Sequence, residues 1–187
     1  MTDETKEPGM EREGQISEDI AREYVDELRE GRRELMADPE FLSLVVGQAL
    51  FMSEVAKLRA EDPNNTHPTF GKQYAQKGHE ESERRASFFL DLLKGEDLAN
   101  AISRYGSEAI AWIKHNTANT GEMLLMTRKG QSNMYKGYTG IIGGVQIKFN
   151  RDHKDKPGDV KLKKEVEVAR ERALERARKL DEELGQK

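Results

Sequence analysis

Residues 38–60 read DPEFLSLVVGQALFMSEVAKLRA, and this stretch decides the fold. Asp38 is a good helix cap, and Pro39 suits the first helical position because its missing N–H would have no partner there. The apolar residues that follow cover much of the helix circumference, which is typical of a buried helix. The stretch therefore predicts the central helix of the core, running from Pro39 to about Ala60.

The chain as a whole has a high proportion of charged residues. Of its 187 residues, 35% are apolar and another 35% are charged. The core must therefore be lean, and most helices must expose much of their surface. The length suits one domain of ordinary size with appended tails. Because the chain has no cysteine, disulfides, thiolate metal sites and a cysteine nucleophile are excluded.

Helical patterns flank the central helix on both sides. The first begins at a capping Ser17, and Gly31 weakens it near its middle. Its apolar face consists of Ile20, Tyr24, Leu28 and Leu35. After a loop over residues 61–70, a helix from about Lys72 to Lys94 ends at Gly95, the usual position for a C-terminal glycine. Two short helices follow, one over residues 97–104 and one capped by Ser107.

The pattern changes after residue 121. Met123–Met126 form a short apolar run, residues 129–133 read KGQSN, which is a turn composition, and residues 145–149 read VQIKF, which alternates with a period of two. These features predict a small antiparallel β-hairpin or sheet near residues 122–149. The predicted fold class is mostly α (α+β): a helical core, this β element and a long C-terminal helix.

The same reading divides the chain into three parts. Residues 1–15 are predicted to be a disordered acidic tail, residues 16–157 a helical domain with the small β element, and residues 158–187 a C-terminal helix. No secretory or organellar targeting pattern is visible near the N-terminus, and no apolar run reaches the roughly 18 to 20 residues that cross a bilayer. We therefore expect a cytoplasmic protein with no membrane partner.

The C-terminal helix carries a narrow apolar stripe with spacings 4, 3, 4, 4, 3 and 4. This is an eleven-residue repeat used twice, and its seam runs nearly straight along a helix. Two interpretations are open: a docking or self-association surface, which would make the protein a homo-oligomer or a subunit of a larger assembly, and packing on its own domain. The stripe consists of Leu162, Val166, Ala169, Ala173, Ala177, Leu180 and Leu184.

The glycine-rich stretch at residues 137–149, GYTGIIGGVQIKF, does not fit a nucleotide loop. A Walker loop requires a Lys and a Ser or Thr directly after its last glycine, and Ile141, Gly143, Gly144 and Val145 stand there instead. A dinucleotide fold requires a helix after its glycines, whereas a strand is predicted here.

Charge points instead to a polyanionic partner. The net charge of −4 divides into −7 for residues 1–60, −2 for residues 61–120 and +5 for residues 121–187. Within the last part, residues 121–164 hold 10 basic and 4 acidic residues. A basic segment with interleaved aromatics suits nucleic acid, although an internal match with the acidic N-terminal part is an equal interpretation.

The function predicted first is that of a non-enzymatic nucleic-acid-associated protein, with DNA and RNA equally open. Its contacts would come from basic side chains for phosphates and tyrosines for stacked bases. The residues are Arg128, Lys129, Tyr135, Lys136, Tyr138, Lys148 and Arg151. The structural alternative is that the glycines form tight turns, the tyrosines pack and the lysines protect an edge strand. The second function class is a structural or assembly subunit of a larger complex that associates through the C-terminal stripe.

Catalytic and metal signals are weak. His79 and Glu83 lie four residues apart, as in the start of a zinc-protease motif, but Glu83 occupies the position of the second His, and a solvated helix face is the commoner interpretation. Trp112 can line a pocket, although a lone Trp on an apolar helix face is usually part of the core. No G-x-S-x-G motif is present. We assign no catalytic residue, metal ligand or cofactor, so an enzyme is the less favoured class.

Overall fold

The computed structural model describes residues 15–66, 71–126 and 160–185, and it places seven helices within them. The side chains of residues 119–126, 160–163 and 181 lie outside this description. So do most of the predicted acidic tail and the predicted boundary at residues 157–158. The helices are α1 (Glu18–Glu27), α2 (Glu30–Met36), α3 (Pro39–Glu61), α4 (Lys72–Leu93), α5 (Leu98–Tyr105), α6 (Ser107–Met126) and α7 (Val160–Gly185).

Helix α3 is the central element, as the sequence predicted. The Asp38 carboxylate accepts hydrogen bonds from the backbone N–H groups of Glu40 (2.9 Å) and Phe41 (3.4 Å), and Pro39 is the first helical residue. From Phe41 to Val55 the helix is buried around most of its circumference, and Phe41, Val46 and Phe51 are almost completely inaccessible. The cap therefore fixes where the central helix begins, and burial of its apolar side chains holds it in place.

Helices α4 and α7 lie antiparallel to α3. Ala56 of α3 faces Gly78 of α4, where an added Cβ would lie 3.8 Å from the Ala56 side chain. Along α7, Arg176 pairs with Glu54, and one turn earlier Arg172 reaches Glu61 at 3.8 Å. Helix α7 packs on α3, and its Arg176 also reaches Glu83 of α4, so the three helices meet one another. Helices α1, α5 and α6 complete the core, with α1 packing on α5 and α6 on α3 and α5.

Aromatic side chains join α4, α5 and α6. The ring centroid of Phe88 lies 5.4 Å from that of Tyr105 and 5.9 Å from that of Trp112, with Tyr105 close to edge-on. Phe88 is fully buried and Trp112 is 5% exposed. Tilted and edge-to-face pairs of this kind contribute about 0.5–1.5 kcal/mol beyond their buried area. The position of Trp112 in this cluster fixes the start of α6 against α4.

Among the described helices, Pro39–Glu61 is long and apolar enough to cross a membrane by length and composition. About two-thirds of its apolar window is buried inside the protein. A central core helix has the same properties, so this feature is weak evidence for a membrane span.

The prediction of one helix after Ser17 is wrong, because the chain forms α1 and α2 with a break at Leu28 and Arg29. Both residues have extended backbone angles. The Arg33 guanidinium donates to the carbonyl oxygens of Val25 (3.0 Å) and Asp26 (2.8 Å), which stabilises the end of α1. Gly31, which we expected to be the weak point, lies inside α2.

The predicted α+β class is also wrong for the described part of the chain, which contains helices and no strand. Met123–Met126 belong to the last turn of α6 instead of a strand. Asn116 and Thr117 donate side-chain hydrogen bonds to the carbonyl oxygens of Trp112 (2.8 Å) and Ile113 (2.7 Å), so these polar residues do not interrupt the helix. The rest of the predicted hairpin, residues 127–149, lies outside the described residues.

Other predicted ends are confirmed. Helix α4 ends at Leu93, and Gly95 follows with a φ of 97°, a conformation that favours glycine. Asp97 caps α5 by accepting from the Asn100 N–H at 3.1 Å. The long C-terminal helix ends at Gly185, close to the predicted Leu184.

Candidate functional site

Five polar side chains from three helices meet where α3, α4 and α7 contact one another. Helix α3 contributes Ser53 and Glu54, α4 contributes His79 and Glu83 one turn apart, and α7 contributes Arg176. We refer to these five residues as the Arg176 network. Ser53 is completely inaccessible and Glu54 is 5% exposed, whereas the other three are partly buried.

Arg176 is the link between the helices. Its Nη1 donates to Glu83 Oε1 at 2.7 Å and its Nη2 to Glu83 Oε2 at 2.9 Å, which is the two-bond geometry that suits a guanidinium and a carboxylate. Nη1 also lies 3.0 Å from Glu54 Oε1. One guanidinium therefore forms hydrogen bonds with two carboxylates on two other helices.

The hydrogen-bond directions in the network are set by Ser53. Its hydroxyl donates to Glu83 Oε1, so its oxygen accepts from His79 Nδ1 at 2.9 Å. The same Nδ1 lies 3.2 Å from the Ser53 carbonyl oxygen, which can only accept. In a serine nucleophile the hydroxyl proton points to the histidine. Here it points to a carboxylate and the oxygen is inaccessible, so this arrangement does not activate Ser53.

Glu83 and Arg176 keep their charges at neutral pH. Burial raises the pKa of the Glu83 carboxyl, but hydrogen bonds from Arg176 and Ser53 outweigh burial and hold that pKa below its ordinary value of 4.5. Burial lowers the pKa of the Arg176 guanidinium, and its bonds to Glu83 and Glu54 more than reverse this, so the pKa lies above its ordinary value. The network therefore acts as an ionic connection of α7 to α3 and α4.

A cleft of about 840 Å³ opens between α4, α5 and α6. Its walls combine aromatic rings with charged side chains of both signs. They are formed by Gln15, Lys77, Glu80, Glu81, Arg84, Arg85, Arg104, Tyr105, Ser107, Glu108, Ala111, Trp112 and His115. This volume lies within the range of small-molecule sites.

Two of the arginines in the cleft are already paired. The Arg84 guanidinium lies 2.6 Å from the Glu108 carboxylate, and both side chains are about half exposed. Arg104 bonds to Asp91 at 2.8 Å and to Glu96 at 2.5 Å, and it lies over the Tyr105 ring at 5.2 Å from the centroid. The charges of these two arginines are therefore already neutralised by carboxylates of the protein.

Arg85 differs from both. Its Nε is buried and has no hydrogen-bond partner among the residues that the structure describes. Burial lowers the pKa of its guanidinium, and the charge of Glu81, one turn earlier on α4, only partly opposes this. A buried donor without a partner costs about 1–3 kcal/mol, more when it is charged. Arg85 is thus a partly buried cation in the wall of the cleft, where an anionic ligand can offset its charge.

The residues predicted to bind nucleic acid are not placed by the structure. Arg128, Lys129, Tyr135, Lys136, Tyr138, Lys148 and Arg151 all lie outside the described residues. That prediction stays a prediction.

The apolar stripe of α7 faces the protein's own core. Val166, Ala169, Ala173 and Ala177 are buried, and Leu180 and Leu184 pack partly buried against the same core. The side chain of Leu162 is outside the description. The stripe is covered within one chain, and its use for association remains untested.

No group of three or more metal-binding side chains occurs among the described residues. His79 and Glu83 belong to the Arg176 network instead of a solvated face, and sequence reasoning missed their partners Ser53, Glu54 and Arg176. One signal was available: Glu54 is an acidic residue in the most apolar helix, and a buried carboxylate requires a partner.

No protein-family model, curated protein sequence or solved structure matches the chain.

Proposed function

We propose that this chain is a nucleic-acid-associated protein in which an acidic helical body carries a basic segment, residues 127–159, that contacts phosphates and bases. The observation that carries the proposal is the division of charge. Residues 1–126 hold 15 Lys and Arg against 25 Asp and Glu, whereas residues 127–159 hold 7 against 3. Because the acidic body repels a polyanion, contact is favoured only through the basic segment.

The anchoring of the segment supports the same proposal. It starts after Met126 at the end of α6 and ends before Val160 at the start of α7. Both helices pack on α3, and α7 is further held by Arg176. Because both ends of this 33-residue segment are joined to helices of one body, its charges are presented together, which raises their local concentration.

Salt dependence of binding tests the proposal. Labelled single-stranded DNA and RNA of mixed sequence are titrated with the protein at about 50 to 300 mM NaCl, with fluorescence anisotropy as the readout. Each phosphate contact contributes about 0.7 to the slope of log K against log salt for single strands. Replacing Lys129, Lys136, Lys148 and Arg151 by Ala should therefore reduce that slope by about 3.

A matched control separates local contacts from net charge. Arg22, Lys57, Lys72 and Lys114 are exposed on the helical body, and replacing them by Ala removes the same charge. This variant should keep the slope of the parent protein. Equal effects of the two variants, or binding that does not respond to salt, would refute the proposal.

The tyrosines provide a second readout. A stacked base contributes about 1–3 kcal/mol, and this term does not depend on salt. Replacing Tyr135 and Tyr138 by Leu should weaken binding by a factor that is the same at low and high salt. An unchanged affinity would show that these tyrosines do not stack on bases.

The alternative proposal is a structural or assembly subunit that associates through α7. It is supported by the long helix with its regular stripe, although the stripe is occupied by the core of the same chain, so association through it requires α7 to leave that position. Deleting residues 160–187 should then lower the mass measured by light scattering. An unchanged mass after the deletion, or a monomeric parent protein, would count against this alternative.

A further inference from the structure

The cleft between α4, α5 and α6 has a charge arrangement that selects its ligand. Lys77, Glu81, Arg84 and Arg85 follow one another at the spacings that place side chains on one helix face. Arg84 is neutralised by Glu108, and Arg104 of α5 by Asp91 and Glu96. The cationic groups that remain for a ligand are Arg85 and Lys77, neither of which forms an ion pair with Asp or Glu among the described residues.

Arg85 supplies the second observation. Its Nε is a buried donor without a hydrogen-bond partner among the described residues, and the side chain lines a wall of the cleft. Because the Nε is inaccessible, a ligand can reach Arg85 only through the part of the side chain that lines the cleft, and guanidinium groups form their strongest hydrogen bonds with phosphate and carboxylate oxygens. The cleft therefore contains a partly buried cation that an anion can stabilise.

A bare anion does not fit the whole cleft. Glu80 and Glu81 lie in the same wall, and their carboxylates repel any second anion nearby. Carboxylates do accept hydrogen bonds from hydroxyl groups. A ligand that brings an anionic group to Arg85 and hydroxyl donors to the glutamates satisfies both requirements.

We propose that the cleft between α4, α5 and α6 binds a small phosphate ester that bears hydroxyl groups, a sugar phosphate or a nucleotide. The phosphate binds Arg85, and the hydroxyls bind Glu80 and Glu81. The volume of about 840 Å³ accommodates either ligand. This site is separate from the basic segment and does not depend on the proposed function.

Trp112 makes the site directly observable. It is the only tryptophan in the chain and it lines the cleft, so tryptophan fluorescence reports on this place alone. The full-length protein is titrated with inorganic phosphate, ribose 5-phosphate and adenosine monophosphate in separate experiments. Ribose 5-phosphate should change the fluorescence with saturation and should bind at least about tenfold more tightly than inorganic phosphate, because only the ester has hydroxyl donors. A nucleotide that binds more tightly than ribose 5-phosphate identifies a base contact, whereas equal or weaker binding identifies the sugar phosphate as the ligand class.

Two variants with opposite expected effects test the assignment. Arg85→Met should weaken binding of ribose 5-phosphate by about 10- to 100-fold, the range of a charge-assisted hydrogen bond. Glu81→Gln should tighten binding of inorganic phosphate, because it removes a repelling charge. The control Arg59→Met removes an exposed arginine on α3 outside the cleft and should leave both affinities unchanged.

Stability separates a ligand-binding Arg85 from a structural one. Because the variant removes an unsatisfied buried donor, Arg85→Met should melt at the same temperature as the parent or above it. Arg85→Lys keeps the charge without the planar guanidinium and should bind with intermediate affinity. The proposal is overturned if no ester changes the Trp112 signal at millimolar concentration, if inorganic phosphate binds as tightly as ribose 5-phosphate, or if Arg85→Met and Arg85→Lys both bind like the parent.

Discussion

Arg176 and Glu83 form a two-bond guanidinium–carboxylate pair although 93 residues separate them in the sequence. The same guanidinium reaches Glu54, which lies 122 residues away and is 5% exposed. The ion pair therefore fixes the position of α7 along two helices at once. Ala173 and Ala177 beside it offer little shape to define a register, so the polar contact supplies the position that small side chains cannot.

Replacing Arg176 by Met should lower the free energy of unfolding by about 2–4 kcal/mol, because it leaves Glu54 and Glu83 without their cation. Urea unfolding followed by circular dichroism measures this. The control Arg172→Met breaks an exposed pair with Glu61 at 3.8 Å and should cost less than about 1 kcal/mol. Similar losses in both variants would contradict the role of the Arg176 network.

Glu83 should make stability depend on pH in the acidic range. Its pKa in the folded chain lies below the ordinary value of 4.5, so its ionised form stabilises the fold above that pH, and the stabilisation is lost as pH falls through the folded pKa. Glu83→Gln should be less stable than the parent at neutral pH, with a difference that shrinks below pH 4.5. Melting temperatures across the acidic range measure this. A difference that stays constant would contradict the prediction.

Two glycine-to-alanine substitutions should change the stability of the protein in opposite directions. Gly78 lies inside α4, where the added methyl group meets the Ala56 side chain at an ordinary contact distance of 3.8 Å, so Gly78→Ala should stabilise the protein by about 0.5–1 kcal/mol. Gly95 has a φ of 97°, so Gly95→Ala should destabilise it by about 1 kcal/mol. Thermal melts of the two variants measure both effects, and a shared sign would be inconsistent with the structure.

The Tyr105 hydroxyl should lose its proton at a higher pH than an ordinary tyrosine. Burial and the hydrogen bond from its hydroxyl to Asp91 Oδ2 (2.9 Å) raise its pKa to about 12. The raised pKa stabilises the fold below the ordinary value of 10, and this is lost as pH rises through the folded value. Tyr105→Phe should remove a late component from the tyrosinate absorbance. Tyr74→Phe, at an exposed tyrosine, should leave that component in place.

The sequence was sufficient where structure depends on local chemistry. Asp38 with Pro39 and the glycine after α4 mark their helix ends by themselves, because caps and left-handed glycines act within one turn. The break before α2 was not predictable in this way, since it depends on Arg33 reaching back to Val25 and Asp26. The apolar run Met123–Met126 was ambiguous, because four apolar residues suit a strand and a helix equally.

The Arg176 network was only half predictable. Glu54 in an apolar helix indicates that a cation must approach it, and His79 with Glu83 were noted as a helical pair. Which cation approaches depends on how α7 rotates against α3, and α7 offers four arginines. Arg176 lies between Ala173 and Ala177 of the buried stripe. Once the stripe is known to pack on the same chain, it indicates that Arg176 is the arginine that faces Glu54.

The distance along the chain between Glu54 and Arg176 also sets an order of events during synthesis. A ribosome adds about 5–20 residues per second, so Glu54 emerges on the order of ten seconds before its cation exists. During that time α3 and α4 cannot close around a neutralised pair. A chain that terminates before residue 176 lacks the cation that Glu54 and Glu83 share, so it should be less stable than the finished protein and more readily degraded.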